Sequence, residues 1–330
     1  MTQFTTQDLA LSLDMFSDRV LKPAVAAIAN KIDRDGLVMA KNNTANIVGT
    51  AGTPPTGLIT YLTAAAYLDA EGAPRDGRRS CIVEPFTSAT IVDSLKGLFV
   101  PQEAIGEQYR KGLMGRDSAG MNWKMDQNVV SQTFGSSSTA VLSCNTSTAT
   151  GFLTSGWAST STIALSATTA AGNLNVGDVI QIANVYAVNP QNRQAYGSNK
   201  LRNFVVTAAA TVATSGTTSV TVSPAVITAG QFQNVSVTSP GASTVTPFNN
   251  TGTVSPQNII MHRNAFCLAV ADLELPEGVH FAGRASDKEI GLSMRVVRQY
   301  TINNDSIPTR LDVLYGWAPL YPELACRVAA

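Results

Sequence analysis

The sequence predicts an α+β protein that carries an inserted all-β domain. Three observations lead to this prediction: helical periodicity near the start of the chain, a charge-poor central block rich in β-branched residues, and alternating strands near the end. At 330 residues the chain is long enough for two or three structural units. We therefore expect most helices in the first third, short strands in the centre and a long hairpin at the end.

A long amphipathic helix is predicted over residues 4–33, FTTQDLALSLDMFSDRVLKPAVAAIANKID. Thr5 and Asp8 form a T-x-x-D start signal, and the polar stretch that ends in Gly36 is typical of a helix stop. Pro23 lies inside the pattern and lacks a backbone donor, so we expect a kink or a break there. One apolar stripe runs along the helix and contains Leu9, Leu13, Phe16, Val20, Ala24, Ala27 and Ile32.

The segment that follows is predicted to mix helices and strands. Pro54 and Pro55 indicate the first turn of a helix that continues as LITYLTAAAYLDA and ends near Gly72. SCIVEP is a short apolar strand closed by Pro85, and FTSATIVDSLKGLF returns as a helix. A third helix is predicted after Pro101, with apolar residues four apart at Ile105, Tyr109 and Leu113.

The central block from Ser131 to Ser255 contains only four charged residues and is dominated by Ser, Thr, Ala, Val, Gly and Asn. A disordered linker would lack the many Val, Ile and Phe residues of this block. The segments DVIQIANVYAV, FVVTAAATVAT, TSVTVSP and FQNVSVTSP are β-branched runs bounded by Gly, Pro or Asn. Short strands at this spacing predict a small barrel or sandwich inserted into the chain.

Two alternating strands near the end of the chain predict a long hairpin. Apolar residues alternate with polar ones from Leu292 to Val296 and again from Ile307 to Tyr315. The turn between them is Asn303-Asn304-Asp305-Ser306. An isolated ribbon of this kind is unstable in water, so we expect it to pack against the N-terminal helix.

Composition excludes several functional classes. Lys plus Arg and Asp plus Glu number 23 each, so the net charge is zero, which argues against a dedicated nucleic-acid binder and suits a protein that associates. The four cysteines show no C-x-x-C spacing, so they are predicted to be buried reduced thiols. No signal peptide and no membrane-spanning run is recognised, and the protein is expected to be made in the cytosol.

Few residues are candidates for chemistry. GTPPTG has the glycine spacing of a phosphate-binding loop, but Leu58 and Ile59 occupy the positions that need Lys and Ser or Thr. His262 lies in an apolar stretch and is predicted to be a structural histidine with its hydrogen bonds satisfied, and His280 has no paired-His or nucleophile motif around it. No catalytic, cofactor-binding or metal-binding residue is therefore predicted.

The flanking segments resemble a known family. QDLALSLDMFSDRVLKPAVAAIANKID, MHRNAFCLAVADLELPEG and GLSMRVVRQYTINNDSIPTRLDVLYGWAPLYPELACRV resemble the major capsid proteins of tailed double-stranded DNA phages, in the P22-type branch with the HK97 capsid fold. VGDVIQIANVYAVNPQ and LRNFVVTA extend the resemblance into the central block. The resemblance rests on long phrases in a consistent order rather than on a short motif.

The resemblance implies an architecture of five segments. Residues 1–40 would form the spine helix of a peripheral domain, and residues 41–128 the first part of an axial domain. Residues 129–256 would be the inserted β-barrel domain, 257–288 the return of the axial domain, and 289–330 the peripheral hairpin and C-terminus. The family also has an N-terminal arm and an extended loop before the spine helix. This sequence begins at the spine, so both are expected to be missing, through an internal start codon or a truncation.

The resemblance also implies a function. It predicts a structural, non-enzymatic protein that self-assembles into hexamers and pentamers of an icosahedral shell around a phage genome. Implied partners are other copies of the chain, a scaffolding protein, a portal and non-specifically contacted double-stranded DNA; no cofactor and no membrane is involved. The predicted location is the virion, after assembly in the host bacterial cytoplasm. The inserted domain would lie on the outer face and touch neighbouring capsomers.

Seven charged residues are the candidate contacts between subunits. Four are the isolated charges of the central block, and three belong to a short basic run that otherwise is a solvated turn, the favoured interpretation. These candidates are Arg75, Arg78, Arg79, Asp178, Arg193, Lys200 and Arg202. Two alternative functions remain open: a β-rich adhesin or glycan-binding protein, and a cellular encapsulating shell of the same fold that encloses an enzyme.

Overall fold

A computed structural model of the chain describes residues 2–5, 22–94, 118–136, 141–145, 151–168, 170–197, 199–214, 216–238, 241–249, 251–287 and 291–330. The α-helices in these ranges are α1 (Lys22–Asn43), α2 (Leu58–Ala70) and α3 (Pro85–Ser94). The strands of the first half are β1 (Thr2–Thr5), β2 (Ile47–Gly49), β3 (Arg79–Val83), β4 (Asn122–Met125), β5 (Ser131–Thr133), β6 (Leu142–Asn145), β7 (Phe152–Leu153), β8 (Ser161–Ala167), β9 (Gly172–Leu174), β10 (Val179–Ala187) and β11 (Leu201–Val206). Those that follow are β12 (Ala210–Val212), β13 (Thr218–Ser223), β14 (Val226–Ile227), β15 (Val235–Val237), β16 (Ala242–Pro247), β17 (Val254–His262), β18 (Phe266–Ala271), β19 (Phe281–Ser286), β20 (Ser293–Arg298), β21 (Ser306–Asp312), β22 (Leu314–Pro319) and β23 (Ala325–Ala329).

Contacts between Cα atoms divide the chain into two compact units. The first comprises residues 1–36 and 267–318, and the second comprises residues 37–266 and 319–330. Each unit is described separately below. The five-segment division that the sequence predicts stays a prediction.

The first unit is built on an antiparallel sheet of four strands in the order β1-β21-β20-β19. Its centre is the predicted hairpin, with Arg295 of β20 opposite Asp312 of β21. A short 3-10 helix, Ile302–Asn304, and Asp305 at a φ of 46° make the turn at the predicted place. The predicted second strand is too long, because it ends at Asp312 and β22 then pairs with β18 instead.

Helix α1 differs from its prediction at its C-terminal end. It is described over Lys22–Asn43, and Pro23 lies within this range. The predicted helical residues 6–21 lie outside the described residues, whereas Thr2–Thr5 form a strand that the sequence did not predict. The predicted stop at Gly36 is wrong, because the helix continues to Asn43.

Packing explains the glycine inside α1. A Cβ atom at Gly36 would lie 2.7 Å from Cε2 and Cζ2 of the Trp317 indole. The indole Nε1 of the same side chain donates a hydrogen bond of 2.9 Å to the carbonyl of Ile32, and the Tyr315 hydroxyl donates one of 2.7 Å to Asp35. Gly36 therefore leaves room for the Trp317 indole of β22 against the helix, and it does not end the helix.

The second unit contains a mixed sheet of six strands. Five follow the order β2-β23-β17-β3-β4, and β5 pairs with β17 at its N-terminal end. The predicted SCIVEP strand is confirmed as β3, and the helix after it is confirmed as α3 up to Ser94. The rest of the predicted helix, residues 95–99, lies outside the described residues. Helix α2 packs Tyr61 and Leu68 into a core with Cys81, Ile260 and Cys326 from three of these strands.

Helix α2 begins later than the prolines predict. Pro54 and Pro55 precede it, and Gly57 is its N-cap residue, so the prolines lead into the helix and are not its first turn. Its end is as predicted, because Gly72 takes a φ of +79° directly after the C-cap residue Glu71. A left-handed residue there is a common way to end a helix. The predicted helix after Pro101 lies outside the described residues.

The other strands of the second unit form what we call the closed β domain, residues 142–247. Six strands pair in the order β11-β13-β8-β6-β16-β10, and β10 also pairs with β11, which closes the ring. Its interior is aliphatic apart from Phe204 and Cys144, and buried members include Ile163, Leu165 and Val220. Each predicted β-branched run forms at least one strand here. The chain passes into and out of this domain side by side, since Thr133 of β5 pairs with Val254 of β17.

No helix among the described residues is long and apolar enough to cross a membrane. The same residues contain no group of three or more His, Cys, Asp and Glu side chains that could hold a metal ion. Cys81, Cys144 and Cys326 are buried free thiols, as predicted. Cys267 is exposed, which corrects the prediction for that residue, because alternate residues of β18 face outwards.

Candidate functional site: a buried charge seam in the second unit

The loop between α2 and β3 holds the predicted basic run. Arg79 is buried and donates hydrogen bonds to Asp69 Oδ1 at 2.7 Å and to two carbonyls of the preceding loop. Arg75 is exposed and pairs with the same Asp69, and this hydrogen bond lowers the pKa of the carboxyl group. Arg78 is also exposed and lies 3.9 Å from Asp76. Arg79 therefore stabilises the loop between α2 and β3, whereas Arg75 and Arg78 remain at the surface.

Arg202 is not at the surface, although it was predicted as a subunit contact. Its Nη1 lies 2.5 Å from Oε1 of Glu71, and the two side chains are only 6% and 10% exposed. Burial raises the pKa of Glu71, and the nearby Arg202 opposes that rise. This ion pair joins β11 of the closed β domain to the C-terminal end of α2.

Two more side chains of the closed β domain contact the same helix end. The Tyr196 hydroxyl donates a hydrogen bond to the carbonyl of Ala70. The Lys200 ammonium lies 3.4 Å from the centre of the Tyr67 ring, a cation–π contact. Arg193, the remaining charged residue of this region, is exposed. Lys200 thus has a partner within the chain, and Arg193 is free to meet another molecule.

Asp178 lies directly before β10 of the closed β domain and is also buried. Its Oδ2 accepts hydrogen bonds from the backbone amides of Gly135 at 2.9 Å and Asn175 at 2.8 Å. Its Oδ1 accepts one from Gln132 Nε2 at 2.9 Å. Burial raises the pKa of this carboxyl group, and the three donors oppose the rise.

Two cations from outside the closed β domain interact electrostatically with this carboxylate. Lys41, in the last turn of α1, donates a hydrogen bond of 2.6 Å to Gln132 Oε1, and burial lowers its pKa to about 8. Arg327 of β23 is fully buried, and burial lowers its pKa to about 10. Both cations attract Asp178 and repel each other. We call these six residues the seam: Lys41, Glu71, Gln132, Asp178, Arg202 and Arg327.

The geometry of the seam indicates a structural role. It joins the closed β domain to α1, to the end of α2 and to β23 through charged and polar groups that are far apart in the sequence. Comparison with known families gives a match to the P22 coat protein, gene protein 5, over residues 1–327.

The chain belongs to the P22 coat protein family. No curated protein matches it. The family match confirms the resemblance that the sequence predicts and makes this chain a bacteriophage capsid protein with a structural role. The match does not favour the glycan-binding or encapsulating-shell alternatives.

Several seam residues of this coat protein were not predicted from its sequence. Glu71 follows a helix whose end was correctly predicted, but only the fold brings it to Arg202. Lys41 lies beyond the predicted helix stop. Arg327 lies in an apolar strand, ACRVA, and an isolated charge in such a strand indicates a buried charge that needs a partner. Gln132 carries no such signal.

His262 of the coat protein is buried as predicted. Its Nε2 lies 3.2 Å from Asp76 Oδ1, and its Nδ1 accepts a hydrogen bond of 3.3 Å from the amide of Asn264. The prediction of a satisfied structural histidine is therefore confirmed. His280 Nδ1 accepts a hydrogen bond of 3.1 Å from the amide of Tyr300.

Proposed function

We propose that this coat protein is the major capsid protein of a phage and that it self-assembles into the icosahedral shell that encloses the double-stranded DNA genome. The observation that carries the proposal is the family match over residues 1–327. Its role is structural and non-catalytic and uses no cofactor. The protein is located in the virion and is assembled in the cytoplasm of the host bacterium.

The proposed architecture is the HK97 capsid fold with an inserted barrel. Helix α1 is the spine helix, the hairpin β20–β21 is the peripheral ribbon, and the six-stranded sheet with α2 is the axial domain. The closed β domain is the inserted barrel. Two observations support this assignment: the ring of strands closes between β10 and β11, and β5 and β17 lie side by side where the chain enters and leaves.

The proposed partners are other copies of the chain, arranged in hexamers and pentamers, together with a scaffolding protein and a portal. Contact with DNA is non-specific, which is consistent with a net charge of zero.

The seam narrows the set of predicted subunit contacts. Arg79, Asp178 and Arg202 have intramolecular partners in the interior, so we assign them to the stability of the subunit. Arg75, Arg78 and Arg193 remain candidate contacts because they are exposed, and Lys200 is half-buried on Tyr67. If such a charge moved into an interface between subunits, it would lose the interaction with its partner inside the subunit.

Exposed apolar side chains offer a further contact surface. Ile59 in the first turn of α2 is 71% exposed, and Phe86 in the first turn of α3 is 79% exposed. The Thr90 hydroxyl of α3 donates a hydrogen bond of 3.5 Å to the carbonyl of Pro55, in the segment that leads into α2. Large apolar side chains that are exposed at a surface are candidates for association sites.

Sedimentation velocity of the full chain over a range of concentrations tests self-assembly. We expect the wild type to form species larger than the monomer, and electron microscopy to show capsomers or shells. Ile59→Asp and Phe86→Asp are each expected to lower the association constant about tenfold, since each adds a charge to an apolar contact that contributes about 1–2 kcal/mol.

The matched control is Thr217→Asp, which adds the same charge at an exposed position between β12 and β13 of the closed β domain, where no candidate contact lies. It is expected to associate like the wild type. A wild-type chain that stays monomeric at every concentration, alone and with a scaffolding protein, would refute the proposed function. Equal association of Ile59→Asp and wild type would remove only this surface from the proposal.

A further inference from the structure

The guanidinium group of Arg327 has an unusual environment. The side chain is fully buried, yet its Nε, Nη1 and Nη2 have no hydrogen-bond partner among the described residues. By contrast, the buried Arg79 and Arg202 each have a carboxylate partner within 2.7 Å. An unsatisfied buried polar group is rare in proteins, and a buried charge that lacks a partner is costly.

The nearby carboxylate does not supply the missing partner. Asp178 attracts Arg327 electrostatically but is not within salt-bridge distance of it. Both oxygens of Asp178 already accept hydrogen bonds, from Gln132 and from the amides of Gly135 and Asn175. Hydrogen-bond donors from the closed β domain therefore satisfy this acid, and the cation remains unpaired.

The buried charges near Arg327 add up to a net positive charge. Lys41 is buried, repels Arg327, and makes one hydrogen bond among the described residues, to the neutral amide oxygen of Gln132. An ammonium group has three donors, so two remain available. Two buried cations thus face one buried carboxylate, and within the described part of the chain no other Asp or Glu is classed as buried.

We propose that the seam binds a small monovalent inorganic anion, such as chloride, between Arg327 and Lys41. A bound anion accepts hydrogen bonds from the free guanidinium and ammonium donors and brings the charge of Lys41, Arg327 and Asp178 to zero. A water molecule can accept some of these hydrogen bonds but leaves one buried positive charge uncompensated. The charge balance therefore favours an anion over water.

The position of the site determines when the anion binds. Arg327 is contributed by β23 and Lys41 by α1. Lys41 contacts Gln132, which in turn contacts Asp178, and Arg327 interacts electrostatically with Asp178. The site exists only when these elements are assembled, so the anion binds the folded subunit and not the unfolded chain. Stability then rises with anion concentration by mass action. This inference does not depend on the proposed function.

Thermal unfolding of the full chain in sodium chloride and in sodium gluconate tests the proposal. Both salts are varied from about 5 to about 500 mM, so that the ionic strength is matched. In chloride, each tenfold increase above the dissociation constant is expected to raise the midpoint by about 2 °C more than in gluconate. The ³⁵Cl NMR line of the folded protein is expected to broaden and to sharpen again on addition of bromide.

Arg327→Met is the matched variant, because methionine fills much of the volume and removes the charge. It is expected to lose both the chloride-specific shift and the ³⁵Cl broadening. Exposed Arg193→Met is the control and is expected to keep both. Equal midpoints in the two salts together with an unbroadened ³⁵Cl line would overturn the proposal, as would a chloride response that persists in Arg327→Met. If that variant does not fold, the NMR measurement on the wild type still decides.

Discussion

Removing the cation of the Glu71–Arg202 pair tests how strongly the closed β domain is attached. The substitution Arg202→Met leaves the Glu71 carboxylate next to an apolar side chain at a position that is 10% exposed. Breaking a buried ion pair by removal of one partner costs about 3–5 kcal/mol, because the other charge stays buried and uncompensated. We therefore expect the free energy of unfolding to fall by about 3 kcal/mol.

A double-mutant cycle separates the ion pair from the packing of the two side chains. Glu71→Gln in the Arg202→Met background removes the second charge and is expected to recover about 2 kcal/mol of the loss. Urea denaturation followed by near-ultraviolet circular dichroism gives each free energy. A loss below about 1 kcal/mol in Arg202→Met, or two single losses that simply add in the double variant, would refute the reasoning.

The pH dependence of Arg202→Met provides a second check on the same pair. Burial raises the pKa of Glu71 above its ordinary value of 4.5, and loss of the arginine removes the group that opposes this rise. A carboxyl with a raised pKa in the folded state stabilises the protein at low pH and loses that contribution as the pH rises through the folded pKa. The deficit of the variant relative to wild type is therefore expected to grow above pH 4.5 and to shrink below it.

Two further predictions concern Gly36 and Lys41. Gly36→Val forces a side chain against the Trp317 indole and is expected to cost about 2 kcal/mol, measured by urea denaturation, whereas Ala29→Val at an exposed position of the same helix should cost less than about 0.7 kcal/mol. Equal losses would show that the indole moves aside freely. The pKa of Lys41 is lowered from 10.5 to about 8, so the folded state binds fewer protons than the unfolded state between these values. In low-chloride buffer the wild type should therefore gain stability relative to Lys41→Met by up to about 3 kcal/mol between pH 8 and pH 10.5, and parallel pH profiles would contradict this.

Many of the strands and the hairpin turn could be predicted because local sequence patterns determine them. The β-branched runs of the central block became strands, and the turn at Asp305 lies where polar residues interrupt two alternating segments. These features depend on residues that are close together in the sequence. Their backbone preferences and the alternation of apolar and polar side chains can therefore be identified from the sequence itself. The family match agrees with the long phrases that the flanks share with phage coat proteins.

The errors at helix ends have a tertiary cause. Gly36 is a reasonable stop signal in isolation, yet the helix continues through it to Asn43 because the Trp317 indole packs against the position without a Cβ atom. The partner is 281 residues away in the sequence (317 − 36 = 281), so no local pattern could reveal it. Lys41 was missed for the same reason, since it lies on the part of the helix that the false stop removed.

What the sequence by itself determined is the SCIVEP strand, the strands of the β-branched runs, the hairpin, the charge-poor central block and the family. Only the tertiary structure decided where the isolated charges of that block go. Asp178 and Arg202 have the composition of surface residues, but both are buried against partners from other elements, Gln132 and Glu71. The physical reason is that a charge can be buried only where folding supplies a partner for it. Local sequence patterns contain no information about a partner that lies far along the chain.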